Sequence, residues 1–234
     1  MRAVHTGGRV RRFVVVEGLI GVGKTSLCRV LHDAWGARLV LEPAETNPFL
    51  GPFYEDPGRY ALPVQLFYLM NRWRQQSAIR QEELFAEVVV SDYLFEKDRL
   101  FAEKTLSDEE LEIYERFTGV LDAVAPAPDL VVYLDAPTKV LLKRIARRGA
   151  PGETHITAAY LDDLRARYER LWKRWTRSPL LRIDNRDMDY VDDPEGRVAV
   201  LSRIEAALRE ATDPSAPGST SDREAAPSLF GTGS

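Results

Sequence analysis

Cysteine is nearly absent from the 234-residue chain, histidine is scarce and no apolar run is long, and each shortage removes a class of protein. The one cysteine, Cys28, excludes an intrachain disulfide and suits a reducing cytosol, so a cytoplasmic protein is expected. It falls inside a helical pattern, where a small core filler is the plain reading. The three histidines, His5, His32 and His155, are scattered without the spacing of a zinc site. No stretch approaches the roughly 20 apolar residues that span a bilayer, so no membrane partner is expected. Charge of one sign is lacking too. Lys and Arg number 32 against 36 Asp and Glu, for a net charge of −4 and a pI of about 5.6. No global field therefore draws in nucleic acid, and any phosphate must be held by local cations and main-chain N–H groups.

What is present fits a single α/β domain. The 44% apolar and 29% charged residues describe a globular chain able to bury a full core. Residues 1–12 carry Arg2, Arg9, Arg11 and Arg12 without an acid or an apolar run, which reads as a solvated basic tail. Residues 212–234, rich in Pro, Ser, Gly and Thr, read as a disordered tail, leaving 13–211 as the domain. Strands are predicted over Phe13–Glu17, Arg38–Leu41, Val88–Ser91, Leu130–Leu134 and Leu180–Ile183. Several are continuously Val/Leu/Ile, as strands buried on both faces require. Helical patterns alternate with them over Lys24–Trp35, Leu62–Ile79, Ser107 to about Val124, a segment with Pro137 in its first turn, Ala158–Trp172 and Val198–Glu210. Ser107-Asp-Glu-Glu110 has the form of a capping box. The alternation predicts a parallel five-stranded sheet with helices on both faces, a three-layer α/β/α fold.

The strongest local signal is Gly18-Leu-Ile-Gly-Val-Gly23-Lys24-Thr25, which satisfies G-x-x-x-x-G-K-[ST] between a predicted strand and a predicted helix. Glycines let the main chain wrap a phosphate without Cβ clashes, and successive N–H groups at a helix N-terminus form an anion nest. Lys24 can reach the β- and γ-phosphates and the Thr25 hydroxyl can hold Mg²⁺. The expected ATP site is Gly18, Gly21, Val22, Gly23, Lys24, Thr25 and Ser26. This loop says only that a nucleoside triphosphate is bound. The second predicted strand runs into Glu42-Pro43, at the sheet edge where open α/β folds bind ligands. A carboxylate there is either an exposed loop acid or a base for a hydroxyl nucleophile.

Several motifs in order resemble the deoxynucleoside kinase family over nearly the whole chain apart from the tails. They are the P-loop, Glu42-Pro43, Phe53-Tyr54-Glu-Asp-Pro, Val64-Gln65 with Arg72, and Ser91-Asp92-Tyr93 followed by Asp98-Arg99. The resemblance implies a P-loop NTPase fold with a helical lid, and Glu42 as catalytic base. It also implies Tyr54 as the sugar contact, Gln65, Arg72 and Asp98 as readers of the base, and Asp92 beside Thr25 at Mg²⁺. A glutamine amide, with a donor and an acceptor together, suits a base edge. Tyr93 stands where the family carries an arginine, which gives Asp92-Tyr93 some likeness to thymidylate kinases.

The run from Asp135-Ala-Pro137 through Arg144, Arg147-Arg148-Gly149, Glu153 and Tyr168 is similar to the family's lid and following helix. The resemblance makes Arg144 and Arg148 phosphate ligands, with Lys24 and Arg148 acting in catalysis, and Glu153 a partner of the sugar 3′-hydroxyl. Ala150 and Gly152 depart from the family, which usually has an arginine and an acid there. Arginine suits charge on equatorial phosphoryl oxygens, although a basic helix end also answers the helix dipole. The resemblance thus implies ATP- and Mg²⁺-dependent phosphorylation of a deoxynucleoside 5′-hydroxyl, purine preferred, by a homodimer as family members often form. The alternatives are a thymidylate-type monophosphate kinase and a P-loop module that switches a partner.

Overall fold

The computed structural model describes residues 12–41, 47–82, 87–121, 127–150, 153–186 and 188–212, except the side chains of residues 54, 76–82, 120, 121, 154 and 212. Five parallel strands, β1 (Arg12–Gly18), β2 (Arg38–Val40), β3 (Val88–Ser91), β4 (Leu130–Asp135) and β5 (Leu180–Asp184), form one sheet in the order β2-β3-β1-β4-β5. The register pairs Phe13 with Val89 and Val15 with Ser91 on one side of β1, and Glu17 with Tyr133 on the other. Parallel pairing needs crossovers and cover on both faces, and β4 accordingly is buried from Leu130 through Leu134.

Helices α1 (Lys24–Trp35) and α8 (Pro194–Thr212) cover one face, joined where the Trp35 indole N–H donates to Glu205 at 3.2 Å. On the other face lies α7 (Ala158–Arg174), where Tyr168 and Trp172 pack against Tyr133 at ring separations of 5.5 and 5.2 Å. The rest of that side is built from α3 (Pro57–Glu82), α4 (Lys97–Thr105) and α5 (Asp108–Leu121), around a second core of Leu69, Phe95, Ala102 and Tyr114. A short α2 (Leu50–Glu55) precedes α3, and α6 (Thr138–Arg148) leads through a 3-10 turn (Glu153–His155) into α7.

Every predicted strand is present within about a residue at either end, and β2 stops one residue short of Leu41. Helix starts differ more. α3 begins at Pro57, not Leu62, and takes Pro63 into its interior, where the missing N–H leaves one helical bond unmade. α8 begins at Pro194, not Val198, because Asp193 accepts from the N–H groups of Glu195 at 3.1 Å and Gly196 at 2.9 Å. Pro137 is the N-cap of α6, with ψ 141°, and is not in its first turn. The capping box of α5 closes both ways, Glu110 N–H onto the Ser107 hydroxyl at 3.3 Å and Ser107 N–H onto the Glu110 carboxylate at 3.0 Å. Helices α2 and α4 were not predicted. Of the expected tails 1–12 and 212–234, Arg12 instead opens β1 and Thr212 closes α8, while residues 1–11 and 213–234 lie outside the described residues, as does the expected end of α5 beyond Leu121.

Candidate active site

The loop between β1 and α1 is shaped by glycines at the points where a side chain would collide. Gly18 has φ +147°, and a Cβ there would lie 2.4 Å from the Leu134 carbonyl oxygen. Gly23, the N-cap of α1, has φ +102° and faces the Tyr190 hydroxyl, which a Cβ would meet at 2.5 Å. Gly21 also has positive φ, and Val22 is buried beside it. Lys24 opens α1, and its ammonium donates to the carbonyls of Gly18 at 2.9 Å and Leu19 at 3.2 Å, folding back over the loop that precedes it. Ser26 sits half-buried in the same first turn.

The loop is braced from behind by the segment after β5. Tyr190 donates to the Gly23 carbonyl at 3.0 Å. The Asn185 amide donates to the Val22 carbonyl at 2.5 Å, and Arg144 donates to Asn185 O at 2.8 Å and Val22 O at 3.4 Å. Burial pushes the Tyr190 phenol up to about 12, so it stays a donor at neutral pH. Sequence reasoning assigned no individual role to Asn185 or Tyr190. Their signal was an amide directly after a strand end and an aromatic five residues on.

The helices after β1 and β3 leave to opposite faces, which opens a crevice between the two strand ends. Across it the Thr25 hydroxyl donates to the Asp92 carboxylate at 2.6 Å, so the two residues expected at a metal are brought together. Glu17, fully buried at the end of β1, accepts from Leu94 N–H at 2.7 Å and from the Tyr168 hydroxyl at 2.7 Å, which ties the P-loop strand to β3 and α7. Cys28 lies in the core beneath, and burial, reinforced by Asp92, pushes its thiol well above the usual range, the behaviour of a core filler.

On the α3–α4 side the expected base readers are gathered and buried. Gln65, Arg72 and Asp98 are 4%, 3% and 1% exposed. Arg72 on α3 forms an ion pair with Asp98 on α4, and the Gln65 amide donates to the Thr105 hydroxyl at 3.1 Å. The Arg72 guanidinium also lies 5.4 Å from the ring centroids of both Tyr68 and Tyr93. Tyr54 is on α2, with its side chain outside the described residues. Glu42 and Pro43 are outside them altogether, and Leu41 is the last described residue before them.

Two residues expected in the lid are brought together. Arg148, ending α6, holds Glu153 in a two-point ion pair, one arm being Nε to Oε2 at 3.0 Å. Gly149 follows as the C-cap at φ +61°. Two surface cavities lie elsewhere. One of about 350 Å³ lies between α4, α5 and α7, lined by Arg99, Arg167, Arg170 and Arg174 with Phe95 and Leu171. One of about 310 Å³ is lined by Asp135, Arg165, Arg182 and Arg186. Neither includes a predicted site residue. The chemistry of the P-loop crevice, and not the size of a cavity, marks the candidate site.

A family model described as "Deoxynucleoside kinase" matches residues 14–209. The chain is 33% identical to a deoxyguanosine kinase of Bacillus subtilis (strain 168), over 76% of this chain and 89% of that protein. It is 26% identical to a deoxyadenosine/deoxycytidine kinase of the same organism, over 84% and 93%. A solved structure of deoxyadenosine kinase from M. mycoides with bound dCTP superposes with a TM-score of 0.70 at 21% identity, covering 83% of this chain and 99% of that one.

Proposed function

Because the chain belongs to the deoxynucleoside kinase family, we propose that it transfers the γ-phosphoryl of ATP to the 5′-hydroxyl of a deoxynucleoside, with a purine nucleoside preferred. The observation that carries this reading is a polar group of Gln65, Arg72 and Asp98, each at most 4% exposed, on the helices beside a glycine P-loop. A buried amide beside a carboxylate–guanidinium pair presents donors and acceptors together, the pattern that reads a nucleobase edge. The purine preference is supported by the name of the relative at 33% identity, a deoxyguanosine kinase, while the one at 26% is named for a purine and a pyrimidine nucleoside.

In the proposed reaction the P-loop amides, Lys24 and Ser26 bind the triphosphate, Arg148 lies over it from the lid, and Arg144 joins it by leaving the Val22 and Asn185 carbonyls. Tyr54 and Glu153 hold the sugar. The Glu42 carboxylate takes the proton of the 5′-hydroxyl while that oxygen attacks the γ-phosphorus, and the bond from γ-phosphorus to the β–γ bridging oxygen breaks to release ADP. Supporting the base assignment, β2 runs parallel to β1, so the chain leaves Leu41 at the edge that carries the P-loop. Thr25 and Asp92 offer one hydroxyl and one carboxylate oxygen, 2.6 Å apart. That donor set fits Mg²⁺, which takes few protein ligands and completes its shell with water and phosphate. When bound there, Mg²⁺ would offset charge on the phosphate oxygens. Arg148 and Glu153 must exchange each other for phosphate and sugar, so closure of the lid depends on both substrates.

A thymidylate-type reading would need a cation for the acceptor's own phosphate, and Arg72 is neutralised by Asp98 instead. We further propose a cytoplasmic homodimer. The half-exposed Ile113 and Phe117 on α5 are suited to such a contact, which light scattering would detect. The test of function is a labelled-ATP assay with Mg²⁺ on the four deoxynucleosides beside dTMP. Saturable phosphorylation of a purine deoxynucleoside is expected, and phosphorylation of dTMP alone would overturn the reading.

A further inference from the structure

We propose that Tyr93 is a positioning residue that, through Gln75, holds the Leu41 carbonyl next in sequence to the proposed base, and that orients Arg72 with its ring. The inference rests on Glu42 being the base. Tyr93 follows Asp92 at the end of β3 and is fully buried. Its hydroxyl donates to Gln75 Oε1 at 2.8 Å, and Gln75 Nε2 donates to Leu41 O at 3.0 Å. The direction of this relay is forced. A main-chain carbonyl can only accept, so the amide nitrogen must face Leu41 and the amide oxygen must face Tyr93, which leaves the phenol as donor. The ladder between β2 and β3 ends at the pair Val40 and Ser91. Leu41 therefore lies beyond the sheet, and the α3 side chain of Gln75 takes hold of it one residue before Glu42. The same Tyr93 ring lies 5.4 Å from the Arg72 guanidinium. One neutral side chain thus touches Arg72 directly and reaches the Leu41 carbonyl through Gln75.

The ring and the hydroxyl are separable by mutation. Tyr93→Phe keeps the ring over Arg72 and removes the relay. Its single-turnover rate should fall about fivefold to tenfold, as loss of one net hydrogen bond implies, with KM for the deoxynucleoside within about twofold. Gln75→Met and Gln75→Glu should be equally slow, since neither can donate to Leu41. The double variant Tyr93→Phe/Gln75→Met should be no slower than the slower single variant, because both cut one chain. In a Glu42→Gln background Tyr93→Phe should change the residual rate less than about twofold. Thermal midpoints verify folding, and Gln75→Met carries the test if Tyr93→Phe does not fold. A wild-type rate in Tyr93→Phe beside an inactive Glu42→Gln overturns the relay alone, as does an additive double variant. A wild-type rate in Glu42→Gln overturns the base assignment and the relay with it.

Discussion

On the proposed donor side of the crevice, from Gly18 to Thr25, the proposed binding groups are main-chain atoms set by glycine dihedrals and braced by Asn185 and Tyr190. On the proposed acceptor side, across α3 and α4, they are side chains buried against one another, Arg72 with Asp98 and Gln65 with Thr105. The first kind of site is contiguous in sequence, shaped by its own glycine dihedrals and braced by Asn185 and Tyr190. The second is assembled from residues as far as 40 positions apart, and its polar groups owe their geometry to packing. A substitution of Lys24 should therefore strike the chemistry and spare the fold, whereas one of Arg72 or Asp98 should strike both.

The largest expected effect breaks the buried pair. Arg72→Met or Asp98→Leu leaves an uncompensated charge inside the α3–α4 layer and should cost about 3–5 kcal/mol in denaturant unfolding. The double variant Arg72→Met/Asp98→Leu should recover most of that stability without recovering deoxynucleoside binding. Single variants as stable as the parent would erase the distinction between the two sides. Next comes Lys24→Met. Removing a cation aimed at transferring phosphoryl oxygens should lower kcat about 10²–10³-fold, while the unfolding midpoint stays near that of the parent. A loss of fold there would make the donor side no different from the acceptor side.

The smallest effect is a dependence on alkaline pH. Burial pushes the phenols of Tyr114, in the acceptor-side core, and Tyr190, behind the P-loop, up to about 12 from an ordinary 10. A raised pKa means that the fold favours the protonated phenol. Its contribution is complete below pH 10 and is lost as the pH rises through 12. The thermal midpoint should be insensitive to these groups up to pH 10 and fall between 10 and 12, and Tyr190→Phe should lessen the fall. An unchanged profile in that variant would remove Tyr190 from the brace.

The two sides also differ in how far they could be read from sequence. The strands announce themselves as short apolar runs, and the P-loop as a pattern in which glycine spacing is itself the geometry, so both were legible. Helix α4, Lys97–Thr105, was not. Its inward face carries Lys97 and Asp98 beside Leu100 and Ala102, so the apolar stripe that marks a helix is interrupted by the polar groups that serve the site. Its N-cap, Glu96, gives no side-chain capping bond. The start of α3 was hidden by Pro57, Gly58 and Pro63, residues that punctuate far more helices than they build. Gln65, Arg72 and Asp98 were reached through resemblance. Gln75, which the relay needs, carries no local signal, because its role exists only once α3 lies against the ends of β2 and β3.

The most direct test of the account concerns Glu42, the carboxylate proposed as the base. Glu42→Gln should bind ATP as the parent does in calorimetry, while kcat for the preferred deoxynucleoside falls on the order of 10²–10⁴-fold. Turnover near the parent value in a variant that still binds ATP would contradict it.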